Sequence, residues 1–258
     1  MAIELADLRE ILLSLREVEE CVGGNLLILG SAEVHVSADE YKALVAETGF
    51  LSHSFPDKLT PFSLGEALGF KLTETLDING EATITHDLML PTPASLCDKY
   101  HMIIDAGVLF WCFNPGLALN NIYSMLRLDG IAVHITAVSG FYGRGYYNIH
   151  PKLLDDFYRL NGCRYIRGIF RQRQISISRW DRVKRRIFLI FGYHTTPRFI
   201  DPPDKFGFVN LSFLAGEGYT FGESGNDLLS PIFIPNDVIG ALIFQKGLHP
   251  TLVEPALI

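Results

Sequence analysis

The sequence predicts an α/β fold in which helices cover both faces of an open, mostly parallel sheet. Short apolar runs alternate with segments whose leucines and isoleucines recur every three or four residues, which is the pattern of strands alternating with amphipathic helices. Several runs are apolar throughout, so both of their faces must be covered. After residue 196 prolines and glycines become frequent and helical periodicity stops.

The N-terminal part of the chain predicts two helices with a strand between them. Residues 4–20 place leucines at helical spacing, and a pair of glycines follows, which ends the helix. The apolar run 25–30 predicts a buried strand. Residues 37–47 predict the second helix, because Ser37 and Glu40 have the spacing of a capping box.

The remaining elements follow from the same two periodicities. Strands are predicted where apolar residues alternate or run together, at 72–77, 82–88, 101–105, 131–138 and 185–194. Helices are predicted at 115–126 and 151–162. The length of 258 residues suits one large domain with an appendage. We therefore expect an N-terminal helix within 1–24, an α/β domain at 25–195 and an irregular Pro/Gly-rich extension at 196–258 packed on its core.

Charge and composition exclude several classes of protein. The net charge of -7 does not favour a nucleic-acid partner. No apolar run approaches the roughly 18 residues of a membrane span, and residues 1–20 lack the apolar core of a signal peptide. The four cysteines have no C-x-x-C spacing, so we expect reduced thiols, a cytoplasmic location and no metal site.

One stretch departs from the acidic average. Residues 164–186 contain nine Lys/Arg and one acid. Two solvated strands joined by a linker would explain this stretch. A surface that contacts an anionic group would explain it as well.

Residues 98–162 resemble the class I S-adenosylmethionine-dependent methyltransferases. The matching segments are IIDAG, NNIYSMLRLDG, IAVHITA and HPKLLDDFYRLNGC. Upstream, LDINGEATITHDLMLPTP resembles a subgroup whose second strand ends in Asp. The similarity extends from about residue 25 to about residue 195. It implies a Rossmann-like sheet with the strand at 185–194 inserted antiparallel, and S-adenosyl-L-methionine as the cofactor.

The chain departs from the family pattern at two places. The family's cofactor loop is close to G-x-G-x-G, whereas LILGSAEVHVS has a single glycine, Gly30. The subgroup has Glu-His after its fourth strand, where this chain has Phe110-Trp111. The subgroup also lacks the full glycine loop, so the first departure does not exclude cofactor binding.

The predicted cofactor residues follow the strand ends, since open α/β sheets bind ligands outside the carboxyl ends of their strands. The resemblance places the ribose hydroxyls on Asp77 and the adenine beside Asp87. A turn before Asn79-Gly80 would equally explain Asp77, and a loop cap would explain Asp87. The whole predicted cofactor set is Gly30, Ser31, Asp77, Ile78, Asp87, Leu88, Asp105, Ala106 and Gly107.

The glycine-rich loop SGFYGRGYYNIHP, residues 139–151, supplies the predicted acceptor side of the site. Its alternative interpretation is a plain surface loop. We predict substrate contacts from Trp111, Tyr142, Arg144 and Tyr146. Tyr147 or His150 would act as a general base on an acceptor hydroxyl. His134, inside an apolar strand, is predicted to be a satisfied core histidine.

The sequence thus leads to two functional hypotheses from different classes. The first is S-adenosylmethionine-dependent O-methylation of a small-molecule or carbohydrate-like acceptor. The second is a binding or scaffold protein that keeps a decayed methyltransferase fold. An enzyme of other chemistry on the same fold is a third possibility, because a fold does not fix chemistry.

Overall fold

The structure is a computed structural model that describes residues 2–141, 144–172, 238–247 and 252–253. Its strands are β1 (Ala2–Ile3), β2 (Asn25–Leu29), β3 (Glu33–Val34), β4 (Leu72–Asp77), β5 (Ile84–Thr85), β6 (Tyr100–Asp105), β7 (Leu126–Ser139), β8 (Arg164–Gln172) and β9 (Val238–Gln245). Its α-helices are α1 (Leu5–Glu17), α2 (Ala38–Thr48), α3 (Pro61–Ala67), α4 (Pro115–Met125) and α5 (Pro151–Leu160).

Seven of these strands form one sheet in the order β5-β4-β2-β6-β7-β9-β8. Neighbouring strands are parallel except at β9, which runs antiparallel to both β7 and β8. After β2 the chain adds β4 on one side and later β6 on the other, so the strand order reverses at β2. The predicted α/β class with a mostly parallel sheet is confirmed.

The middle of the sheet is covered on both faces. Successive side chains of a strand point to opposite faces, and all four residues from Leu26 to Leu29 are fully buried. The same holds for Met102, Ile103 and Ile104 in β6, which are at most 1% exposed. Continuous burial explains why these strands were visible in the sequence as uninterrupted apolar runs.

The helices begin where the local chemistry predicts. The Ser37 hydroxyl accepts a hydrogen bond from the backbone N–H of Glu40, and the Glu40 carboxylate accepts one from the backbone N–H of Ser37, which completes the capping box of α2. Both α4 and α5 begin with a proline, which fits the first turn because its missing N–H has no partner there.

Helix α1 packs against the sheet through ion pairs with β8. Arg171 and Asp7 form a buried pair, in which Nε donates to Oδ1 at 2.8 Å and Nη2 donates to Oδ2 at 2.6 Å. Arg167 contacts Glu10 at 3.5 Å, and Arg164 contacts Glu17 at 2.9 Å. These three arginines of the basic stretch 164–186 are therefore engaged by α1. Residues 173–186 lie outside the described residues.

Strand β9 comes from the segment that the sequence analysis assigned to the extension. Its residues from Val238 to Phe244 are buried and pair with β7 and β8. A strand so apolar gains more by burial inside the sheet than on its surface. The predicted antiparallel strand at 185–194 lies outside the described residues, and so do residues 196–237.

No helix of the described chain is long and apolar enough to cross a membrane.

Candidate functional site

A cavity of about 620 Å³ opens at the carboxyl ends of β2, β4 and β6, next to the point where the strand order reverses. This is the position at which open α/β sheets bind ligands. The volume is in the range of sites for small molecules and cofactors. Its lining is Gly30, Ser31, Ala32, Leu76, Asp77, Ile78, His86, Asp87, Leu88, Met89, Ala106, Gly107, Val108, Trp111, Cys112, Phe113 and Tyr146.

Gly30 brings bare backbone to the cavity wall at the end of β2. Its φ is +78°, and its N–H donates to the carbonyl oxygen of Leu76 at 2.7 Å. A Cβ at this position would lie 2.7 Å from Cγ2 of Val108, closer than non-bonded carbons approach. The single glycine of the loop therefore stands where both the conformation and the space require one.

Replacing Gly30 with alanine should lower the free energy of unfolding by about 1–2 kcal/mol, since a side chain at positive φ is strained. The contact with Val108 adds to that loss. Gly80→Ala is the matched control, because a Cβ on Gly80 would have nothing within 4 Å. Urea unfolding of both variants measures the difference. Equal losses at the two positions would contradict the role assigned to Gly30.

Asp77 closes the adjacent end of the cavity from β4. Its Oδ2 accepts from the Ser31 hydroxyl at 3.0 Å, and its Oδ1 accepts from the Asn79 backbone at 3.3 Å. The carboxylate is half-buried and lines the cavity, and each oxygen has a further lone pair that can accept a hydrogen bond. Asp77 is thus both a turn residue and a lining residue, so the two predicted interpretations do not exclude each other.

The opposite wall follows β5 and contains His86 and Asp87. Nε2 of His86 is buried, and it has no hydrogen-bond partner among the described residues. Asp87 is exposed and accepts from the Met89 backbone at 2.8 Å. The amide of Asn121 on α4 donates to the carbonyl oxygens of Leu88 and Leu90 and holds this wall in place. An unsatisfied ring nitrogen beside a cavity is a group that a ligand can satisfy.

The charge of the lining is one-sided. It contains two carboxylates, Asp77 and Asp87, and neither lysine nor arginine among its described residues. Cys112 lies in the wall, but burial raises the pKa of its thiol to about 12, and Asp105 and Asp87 add to that rise. The thiol therefore stays protonated at neutral pH and is a poor nucleophile.

Asp105 does not line the cavity, contrary to the sequence prediction. Asp105 directly precedes the lining residues Ala106 and Gly107 in the chain, and its side chain is fully buried. Its Oδ1 accepts hydrogen bonds from the backbone N–H groups of Val108 and Leu109. Its Oδ2 lies 3.0 Å from Nδ1 of His134, whose Nε2 lies 2.7 Å from the Tyr158 hydroxyl. His134 is thus a satisfied core histidine, as predicted. The paired register of Asp105 and His134 on β6 and β7 brings the two together.

The two predicted bases have other partners. The Tyr147 hydroxyl donates to the carbonyl oxygen of Phe113 at 2.9 Å, and His150 accepts from the Lys152 backbone at the start of α5. The proline after His150 is the signal that marks this helix start. Neither residue belongs to the described lining of the cavity. Tyr142 lies outside the described residues.

The predicted substrate residues divide between two cavities. Trp111 and Tyr146 stand exposed at the first cavity, while Phe110 is buried in the core. Arg144 lines a second cavity of about 260 Å³, which shares Ser31 with the first. The other residues of this second cavity are Ala2, Glu4, Glu33, His35, Phe141, Arg171 and Ile239.

Most residues of the second cavity were not predicted from the sequence. Glu4 and Glu33 come together because β1 and β3 pair, with Ala2 opposite Glu33. His35 lies between the two carboxylates, 3.3 Å from Glu4 and 2.8 Å from Glu33. The hydrogen bond to Glu33 raises the pKa of His35 above its ordinary value. Strands of two residues leave no periodic signal in a sequence.

The part of the chain that the structure describes contains no cluster of His, Cys, Asp or Glu suited to a metal ion.

Solved structures similar to this chain have low sequence identities to it, and several of them are named as methyltransferases. A SAM-dependent methyltransferase from Archaeoglobus fulgidus is 15% identical, with 92% of this chain and 94% of that chain covered and a TM-score of 0.42. The N-methyltransferase NodS from Bradyrhizobium japonicum WM9, in complex with S-adenosyl-L-homocysteine, is 11% identical, with 94% and 87% covered and a TM-score of 0.46. YcgJ protein from Bacillus subtilis is 10% identical, with 92% and 98% covered and a TM-score of 0.42.

No family model matches the chain, and no curated protein matches it. Identities and TM-scores this low say nothing about what the chain binds.

Proposed function

We propose that the protein binds S-adenosyl-L-methionine in the first cavity and transfers its methyl group to a small molecule. The observation that carries this proposal is the charge of the lining, which has two aspartates and no described lysine or arginine. A carboxylate lining favours a cationic ligand such as a sulfonium, and it disfavours phosphate groups.

A dinucleotide is the main competing ligand for a sheet of this order, and the first turn of α2 argues against it. Dinucleotide sites place the pyrophosphate on the N-terminus of the helix that follows the glycine loop. Here that helix begins with Asp39 and Glu40 in its first turn. Both carboxylates would repel a phosphate group at that position.

The lining fits the separate parts of the cofactor. Asp77 has spare acceptor capacity for the two ribose hydroxyls, at the end of the strand next to β2. The carboxylate of Asp87, which is exposed and lines the same cavity, offers a polar contact to the adenine. Gly30, Ala106 and Gly107 present no bulky side chain, so the methionine part can lie against the backbone.

The chain contributes binding and alignment. When bound, the cofactor would supply an electrophilic methyl group to an acceptor that has given up a proton to solvent and so has a free lone pair, and the electron pair of the cleaved carbon–sulfur bond would stay on sulfur. Trp111 and Tyr146 stand at the cavity mouth, where their rings can exclude water and confine the acceptor.

The predicted hydroxyl acceptor depended on a base from the loop at 139–151. Tyr147 and His150 both form hydrogen bonds to backbone groups and do not line the first cavity. These two residues therefore no longer support the prediction of O-methylation. The engagement of both predicted bases is also what favours the second candidate, a protein that binds the cofactor without catalysis. A cytoplasmic location stays a prediction, consistent with four free cysteines.

Replacing Asp77 with alanine should weaken the binding of S-adenosylhomocysteine more than about tenfold. The expected loss corresponds to hydrogen bonds from two ribose hydroxyls to a charged acceptor, each worth about 1.5–3 kcal/mol. Calorimetry on the wild type, Asp77→Ala and the exposed-loop control Asp57→Ala measures it. Equal affinities in all three proteins would contradict the ribose assignment. No binding to the wild type would overturn the cofactor proposal, and binding without methyl transfer to any acceptor would favour the non-catalytic candidate.

A further inference from the structure

The second cavity adjoins the first at Ser31, which lines both. The Ser31 hydroxyl donates a hydrogen bond to Asp77, the residue proposed to bind the ribose. A methyl group moves only between molecules in contact, so an acceptor must lie against the cofactor cavity. The second cavity meets that condition. Its volume of about 260 Å³ suits a compact metabolite and is below the usual range for drug-sized ligands.

One side of this cavity carries a net negative charge. Both ring nitrogens of His35 face carboxylate oxygens, from Glu4 and Glu33. A neutral imidazole has a single N–H, so both contacts are hydrogen bonds only when the ring is protonated. Even then two carboxylates oppose one imidazolium, and one negative charge is left over. The carboxylate of Glu33 is 78% exposed and accessible to a ligand.

The other side carries a positive charge. Arg144 is exposed, and its side chain has no hydrogen-bond or ion-pair partner among the described residues. The remaining arginine, Arg171, is already neutralised by Asp7. Arg144 is therefore the guanidinium of this cavity that is left to bind a ligand carboxylate, for which its geometry is well suited.

The cavity also has apolar lining. Phe141 and Ile239 are buried, and both line the cavity. A ligand that complements this lining has a cationic end, an anionic end and an apolar portion. A neutral sugar would leave both charges unmatched.

We propose that the second cavity binds the methyl acceptor, and that this acceptor is a small zwitterion with an ammonium and a carboxylate, as in a free amino acid. The ammonium lies at Glu33 and the carboxylate at Arg144. This inference rests on the proposed function, since it needs a methyl donor in the first cavity. It replaces the carbohydrate-like acceptor predicted from the sequence.

The test uses the full chain saturated with S-adenosylhomocysteine, with ligand-detected NMR against the standard amino acids. Each amino acid that binds is compared with its amine-only and acid-only analogues, for example leucine with 3-methylbutylamine and 4-methylpentanoate. At least one amino acid should bind, and each analogue should bind at least about fivefold more weakly, as expected for loss of hydrogen bonds to a charged group.

The variants Glu33→Gln and Arg144→Gln should each weaken amino-acid binding by at least about fivefold. Their affinity for S-adenosylhomocysteine should stay within about twofold, because neither residue lines the first cavity. Glu66→Gln on the exposed side of α3 is the control and should change neither affinity.

The two proposals fail in different ways. If S-adenosylhomocysteine binds but no amino acid does, or if an analogue binds as well as its amino acid, the zwitterion proposal is overturned and the cofactor proposal stands. Unchanged amino-acid affinity in both variants overturns it too. If S-adenosylhomocysteine does not bind, the cofactor proposal fails, and the acceptor proposal fails with it.

Discussion

Replacing Asp7 with alanine should lower the free energy of unfolding by about 3–5 kcal/mol, because it leaves the guanidinium of Arg171 buried without its counter-charge. Asp7 is fully buried and Arg171 is 3% exposed. Their bidentate pair joins the first helix to a strand 164 residues later in the sequence. The same carboxylate accepts from the Glu4 backbone at 2.9 Å, so the substitution also removes a contact at the start of α1.

Two controls separate the buried charge from a general effect of substitution on α1. Glu17→Ala breaks an exposed pair with Arg164 and should cost less than about 1 kcal/mol. The double variant Asp7→Leu with Arg171→Met removes both charges and should recover most of the loss. Urea unfolding, fitted with one common dependence of the unfolding free energy on urea concentration, gives the stability of all three variants. A loss in Asp7→Ala no larger than that in Glu17→Ala would show that the buried pair does not hold α1 on the sheet.

The elements that the sequence predicted well are those with local signals. The predicted strands at 25–30 and 101–105 contain continuous apolar runs, at residues 26–29 and 102–104, and the burial of these runs on both faces follows from that pattern. The start of α2 was readable from Ser37 and Glu40 alone. Each of these features depends on residues within a few positions of one another.

Strand β9 was missed although its residues are as apolar as those of β7. Its run VIGALIFQ stands in a segment rich in proline and glycine, and the composition around it favoured an irregular extension. The register that inserts it between β7 and β8 pairs it with residues that lie 66 or more positions earlier in the chain, such as Gln172 opposite Val238 and Arg164 opposite Gln245. No local pattern specifies such a pairing.

The site shows the same division between local and distant signals. Gly30, Asp77 and Asp87 follow predicted strand ends, and the structure brings them to one cavity. The acidic pair Glu4 and Glu33 needs the two-residue pairing of β1 with β3, which periodicity cannot reveal.

Asp105 lies at the end of a strand, as predicted, but it does not line the cavity. It ends β6 as predicted, yet its side chain turns inward because His134 lies opposite it on β7. The cavity wall above it is made instead by Ala106 and Gly107. Asp105 therefore contributes by fixing the loop that forms the wall, through its bonds to Val108 and Leu109.

Replacing Asp105 with alanine should consequently destabilise the protein and weaken the binding of S-adenosylhomocysteine together. The substitution leaves three buried donors without an acceptor, the N–H groups of Val108 and Leu109 and Nδ1 of His134, each costing about 1–3 kcal/mol. We expect a loss of about 3–5 kcal/mol in unfolding free energy, and affinity at least about tenfold lower because the cavity wall loses its anchor.

The variant Asp105→Asn tests whether the hydrogen bonds of Asp105 or its negative charge are what matters. Its amide oxygen can still accept from Val108 and Leu109, while its NH₂ group can donate to Nδ1 of His134 if the imidazole proton moves to Nε2. In the wild type the Tyr158 hydroxyl lies 2.7 Å from Nε2. Its oxygen can accept a hydrogen bond from a protonated Nε2, just as its O–H can donate one to an unprotonated Nε2. This arrangement keeps the bonds to Val108 and Leu109, but the hydrogen of the Tyr158 hydroxyl and one amide hydrogen have no acceptor among the described residues. Asp105→Asn should therefore cost about 1–3 kcal/mol, less than Asp105→Ala, and keep cofactor affinity within about threefold. Urea unfolding and calorimetry on both variants decide the matter: if asparagine is as damaging as alanine, the negative charge of Asp105, and not its hydrogen-bond capacity, holds the cavity wall in place.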